Sequence, residues 1–141
     1  MVDIFYEDIQ PMSLDPRFYN AWLQEVCLSE NAILGDLSLI FSSDKYLLKI
    51  NQDYLNHDFY TDIITFDYEL ENITGDLFIS YERVLDNSTT HNTSVENELN
   101  RVVVHGLLHL IGYGDKSESE SKTMRQLEDK YLSIVPRETI D

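Results

Sequence analysis

The sequence predicts a single α+β domain in which a small mixed sheet of four strands packs against about five helices. One of those helices, the apolar one that carries a histidine pair, is expected to lie across a face of the sheet. Three observations predict this. The chain has 141 residues, which suits one domain with one hydrophobic core. Short β-branched or aromatic runs alternate with longer stretches whose apolar residues recur every three or four positions. No internal repeat, low-complexity tract or linker breaks the pattern, so residues 1–141 read as one domain.

The elements follow in chain order. Val2, Ile4 and Tyr6 alternate within 2–9 and mark a first strand. Asp15-Pro16 reads as an N-cap followed by proline in the first helical turn. Phe18, Trp22 and Val26, flanked by Tyr19, Leu23 and Cys27, form the apolar face of a helix over 16–29. Cys27 on that face reads as a small buried residue. Residues 37–41 form a buried strand, and Ser43-Asp44 caps a helix over 44–55 with Leu47, Leu48 and Tyr54 inward. Strands at 62–68 and 75–80, joined by a short polar turn, are expected to pair as an antiparallel hairpin. Residues 86–94 are polar and read as a loop containing His91. Ser94 then caps a helix running to Gly112, with Glu96 and Glu98 in its first turns, where the helix dipole favours acids. A last helix starts at Ser117, with Glu120 completing a capping box and Met124, Leu127, Tyr131 and Ile134 as its stripe, and Pro136 ends it.

Composition limits function. Hydrophobic residues are 43% and charged residues 26%, as in ordinary globular proteins. No apolar run reaches bilayer length. The N-terminus is acidic and lacks the features of a secretory signal. With one cysteine there is no internal disulfide. These features point to a cytoplasmic protein with no membrane association. The net charge of −16, with ten unclustered Lys and Arg, argues against a broad basic nucleic-acid surface. Any polyanion must instead meet a local positive site.

The chemistry concentrates in residues 104–115. His105 and His109 lie four apart on a helix, about 40° and about 6 Å from each other, so both imidazoles reach one ion. Gly112 ends the helix and turns the chain, bringing Asp115 round as third ligand. The pattern H-x-x-x-H-x-x-G-x-x-D leaves a coordination position open for water, as in catalytic zinc sites. His105 and His109 are therefore the candidate catalytic residues, and His105, His109 and Asp115 the candidate ligands of one zinc ion. Zinc proteases of the H-E-x-x-H type place a glutamate base beside the first histidine. Here that position is Gly106, so water on the ion would act as nucleophile or base through its lowered pKa.

The run from His105 to Tyr113 resembles the core motif of the YbeY family, H-G-x-L-H-L-x-G-Y-D-H. Met124 and Glu128 fall where that family has methionine and glutamate, and Gly75-Asp76 matches its glycine-aspartate strand start. Asn51, Tyr54, Asp58, Thr61-Asp62 and Phe66 follow its middle segment, so the resemblance spans about 37–132. It implies a bacterial zinc-dependent, single-strand-specific endoribonuclease. It further implies a role in maturation of the 16S rRNA 3′ end and ribosome quality control, with ribosomal RNA and the ribosome or its proteins as partners. Two positions depart from the family. Asp115 stands where histidine is usual, which would make bound water less acidic. Leu55 replaces an arginine, removing a natural phosphate contact. Arg83, Arg101 and Lys116 are candidate substitutes by position, and Tyr113, with Phe59 and Tyr60, is a candidate surface for stacking bases. His57 and His91 read as loop histidines. Two rivals stand beside this reading: a metalloprotease-like hydrolase, and a non-catalytic ribosome assembly factor that uses metal only to hold its fold.

Overall fold

A computed structural model describes residues 1–57 and 60–136. Asp58 and Phe59 lie outside the described residues. Strand β1 (Val2–Tyr6) leads into helix α1 (Pro16–Ser29), which returns the chain to β2 (Leu34–Ser42), parallel to β1. Asp15 caps α1 by accepting the Arg17 N–H at 2.9 Å. Helix α2 (Asp44–Leu55) is capped by Ser43 and closed by Asn56 in the left-handed conformation. Strands β3 (Ile63–Asp67) and β4 (Ile73–Ser80) form the expected antiparallel hairpin, and β4 also pairs parallel to β2. The sheet order β1-β2-β4-β3 is therefore mixed, with β3 on one edge. Helices α3 (Tyr81–Thr90), α4 (Val95–Ile111) and α5 (Glu118–Leu132) complete the chain.

Alternation along the strands divides the two faces of the sheet. Leu37, Leu39 and Phe41 of β2 and Leu77 and Ile79 of β4 are fully buried against α1 and α4. On the other face Phe78 meets Phe66 edge-to-face, and Phe66 meets Tyr54 of α2 in the same way. Polar contacts tie α1 to the later helices. Tyr19 donates its hydroxyl to Asn100 on α4 at 2.9 Å, and Trp22 donates its indole N–H to the Tyr131 carbonyl on α5 at 3.0 Å. Gly106 is what lets α4 lie so close to the sheet. A Cβ there would stand 2.7 Å from Ile63 Cδ1 and 3.0 Å from Leu77 Cδ1.

Several expectations are corrected. The segment 86–94 is not all loop, because α3 runs through Thr90 and His91 is its C-cap. Ser80 caps that helix, Val84 and Ser88 bury its inner face, and Ser88 satisfies its own hydroxyl on the Leu85 carbonyl at 2.7 Å. Burial and back-bonding thus outweigh the weak helix propensity of Asn, Ser and Thr. Tyr54 is exposed rather than inward, and the buried partner of Leu47 on α2 is Asn51. Helix α5 stops at Leu132, four residues before Pro136, and leaves Ile134 half exposed. Strands β2 and β4 are longer than expected, and β1 is shorter.

Candidate metal centre

Helix α4 presents His105 and His109 on one face, and Gly112, at φ 129°, ends the helix where only glycine is unstrained. Its N–H closes on the carbonyls of Leu108 and His109. The chain then turns back so that Asp115 Oδ2 lies 3.4 Å from Nε2 of both histidines. The two Nε2 atoms are 2.9 Å apart. The three sequence-predicted ligands are thus brought together, and they are the metal-competent group of His, Cys, Asp and Glu among the described residues.

The other ring nitrogens decide the tautomers. His105 Nδ1 lies 2.7 Å from Glu128 Oε2, and His109 Nδ1 lies 2.8 Å from the Tyr113 carbonyl. Both partners only accept, so each Nδ1 donates to its partner, and the two Nε2 atoms are left to face each other. At 2.9 Å the two Nε2 atoms either share a proton in an N–H···N hydrogen bond or turn together toward one cation. The donor spacing suits a metal, since a tetrahedron of about 2.1 Å zinc–nitrogen bonds has edges of about 3.4 Å. Two imidazole nitrogens and a carboxylate oxygen are also the donor chemistry of catalytic rather than structural sites.

The carboxylates around the histidines favour positive charge at this point. Burial opposes an imidazolium at His105, but the Glu128 hydrogen bond and the charges of Glu128, Asp62 and Asp115 outweigh it and raise its pKa. Burial likewise opposes ionisation of Glu128, yet His105 and Arg101 hold its carboxyl below the ordinary range. Asp62 lacks such compensation: burial pushes its carboxyl up, against a smaller pull from the charge of His105 and nearby backbone N–H groups.

His105 and Asp115 of the donor group line a cleft of about 280 Å³. Glu98, Arg101, Val102 and His105 of α4 face Ser121, Met124, Arg125 and Glu128 of α5 across it. Each set follows the same helical spacing of three, four and seven residues. Asp62, Asn87, His91 and Asp115 complete the lining.

Of the other predicted site residues, only Arg101 lines this cleft. It donates to Glu128 at 2.9 Å and Asp129 at 2.6 Å. Arg83 is held by Asp44 at 2.9 Å and Asp86 at 2.6 Å, outside the lining. Lys116 is exposed beside Asp115, and Tyr113 points its hydroxyl away to Glu30 at 2.5 Å while its carbonyl orients His109. Tyr60 is exposed and Leu55 lines a separate hollow with Asn51 and His57. Sequence reasoning overlooked Asp62, Glu98, Arg125 and Glu128 as cleft residues and left His91 in a loop. The helical stripes were readable, but not that they face each other. His91 Nδ1 lies 3.5 Å from Glu98 Oε2 at the cleft wall.

Fold and site together define an α+β domain with a three-donor group, suited to a divalent ion, beside a cleft. The sequence is matched over residues 8–135 by the model of the endoribonuclease YbeY family. The chain belongs to that family, whose members are named as endoribonucleases, hydrolases acting on RNA. It is 43% identical over 135 residues to the endoribonuclease YbeY of Parabacteroides distasonis, covering 95% of each chain. It is 46% identical to that of Flavobacterium johnsoniae, covering 95% of this chain and 96% of the relative. The solution structure of a Thermotoga maritima protein shares the fold with a TM-score of 0.66 at 27% identity, covering 96% of this chain and 89% of that one. These matches favour neither rival reading. The structure adds a steric reason against the protease-like one, because position 106 faces Ile63 and Leu77 rather than the cleft.

Proposed function

We propose that this chain is a zinc-dependent, single-strand-specific endoribonuclease of the cytoplasm. In this reading it acts on the 3′ end of 16S ribosomal RNA and in ribosome quality control, with the ribosome or its proteins as partners. The observation that carries the reading is the convergence of His105 and His109 Nε2 with the Asp115 carboxylate beside a cleft in a family named for RNA cleavage. His105, His109 and Asp115 would hold the ion. Once bound, it would act as a Lewis acid toward a phosphoryl oxygen and make water a competent nucleophile near neutral pH.

The protein's own groups prepare that chemistry. Glu128 and the Tyr113 carbonyl hold both rings with Nε2 toward each other and Asp115. Arg101, locked by Glu128 and Asp129, sets positive charge beside the site. Asp62 supplies a carboxyl that keeps a proton more readily than a surface acid. A cleft this small suits one extended strand better than a duplex. The net charge of −16 is compatible with RNA because attraction is needed only locally.

The test offers purified protein labelled single-stranded RNA, duplex RNA and casein, with metal content measured in parallel. Cleavage of single-stranded RNA alone is expected, abolished by a chelator and by His109→Ala. Asp115→Ala should lower bound metal several-fold. Casein cleavage that His105→Ala abolishes, with RNA left intact, would overturn the proposal, and undiminished metal in Asp115→Ala would remove Asp115 from the ligand set.

A further inference from the structure

We infer that Arg125 is the side chain that grips the RNA strand, by binding a backbone phosphate next to the metal centre. This rests on the reading of the cleft as an RNA-cleaving site. Two guanidinium groups line the cleft, and they differ in what they have left to offer. Arg101 is 18% exposed and already donates to Glu128 and Asp129. Arg125 is 59% exposed, and its ion pair, to Glu128 Oε1, is 3.9 Å long, beyond hydrogen-bond distance. Glu128 already holds closer partners on both oxygens, Arg101 on Oε1 at 2.9 Å and His105 on Oε2 at 2.7 Å. Among the described residues, Arg125 therefore keeps its planar fork of donors for a ligand.

Position agrees with this. Ser121, Arg125 and Glu128 stand along one stripe of α5, so Arg125 lies between the residue bonded to the Asp115 carbonyl and the residue bonded to His105. The remaining charged groups of the cleft are mostly carboxylates: Asp62, Glu98, Asp115 and Glu128. A phosphodiester entering there is repelled by the carboxylates and attracted by the two arginines. A guanidinium with free donors can bind phosphate through two parallel N–H···O bonds, which an ammonium cannot reproduce.

The experiment measures kcat and KM for a labelled single-stranded oligoribonucleotide with wild type, Arg125→Ala and Arg125→Lys at several salt concentrations. Circular dichroism and metal content serve as controls. Arg125→Ala should raise KM about tenfold, keep kcat within about twofold, and flatten the slope of log affinity against log salt by about 0.7, the value for one phosphate contact on a single strand. Arg125→Lys should restore the salt slope but only part of KM. An unchanged KM and salt slope in a folded, metal-loaded Arg125→Ala would overturn the inference while leaving the nuclease reading intact. A wild type that neither binds nor cleaves the oligonucleotide would overturn both.

Discussion

Each oxygen of the Glu128 carboxylate has its own partner: Oε2 takes the His105 Nδ1–H at 2.7 Å and Oε1 takes Arg101 at 2.9 Å. One buried acid thus orients the His105 ring and positions the neighbouring guanidinium. Glu128→Gln replaces one acceptor oxygen by an amide NH₂, which cannot serve both partners. Metal affinity should fall about 10–100-fold, measured by competition with a chromogenic chelator, while far-ultraviolet circular dichroism stays unchanged. Cys27 shows the opposite case of a group with no role in the chemistry. It is 1% exposed, and burial first, then the charge of Glu30, pushes its thiol up to about 11. Its reaction with an aromatic disulfide at pH 8 should be at least roughly 100-fold slower in the native protein than in urea. Equal rates would mean that α1 opens readily.

At the scale of elements, α4 positions the two histidines and Gly106 positions α4. The added methyl of Gly106→Ala must displace Ile63, Leu77 or the helix itself. Such overpacking should cost about 1–3 kcal/mol in urea unfolding and weaken metal binding, because the histidine face moves with the helix. Much of this level was legible in the sequence. The caps Asp15, Ser43, Ser94 and Ser117 begin helices where expected, since capping is a local hydrogen bond between neighbouring residues. Helix α3 was not legible. Its Asn, Ser and Thr residues favour a loop locally, and only burial of Val84 and Ser88 against the rest of the molecule selects the helix. Tyr54 failed for a similar reason: its helical phase faces the edge strand β3, where Phe66 leaves it open to solvent.

For the whole molecule, the donor group links the end of α4 to the turn before α5, so an ion bound there stabilises the native state by mass action. Chelation should lower the melting temperature by roughly 5–10 °C, and stoichiometric zinc should restore it. Differential scanning fluorimetry checks this, and an unchanged midpoint would mean that no ion is held by the native fold. No described helix is long and apolar enough to cross a membrane.

The sequence by itself determined the donor triad and the order of the elements around it. Spacing of four residues along a helix, a glycine that ends it and an acid three residues on are short-range geometry, set by backbone dihedrals alone. The cleft was decided only in the tertiary structure. Arg101 and Glu128 are separated by 27 residues and His105 and Glu128 by 23, and nothing local dictates that their helices meet. Packing of α4 against α5 turns two ordinary helical stripes into facing walls. It also determines that Arg101 is consumed by ion pairs, that Arg125 is left with free donors, and that Arg83 is spent on Asp44 and Asp86 away from the cleft.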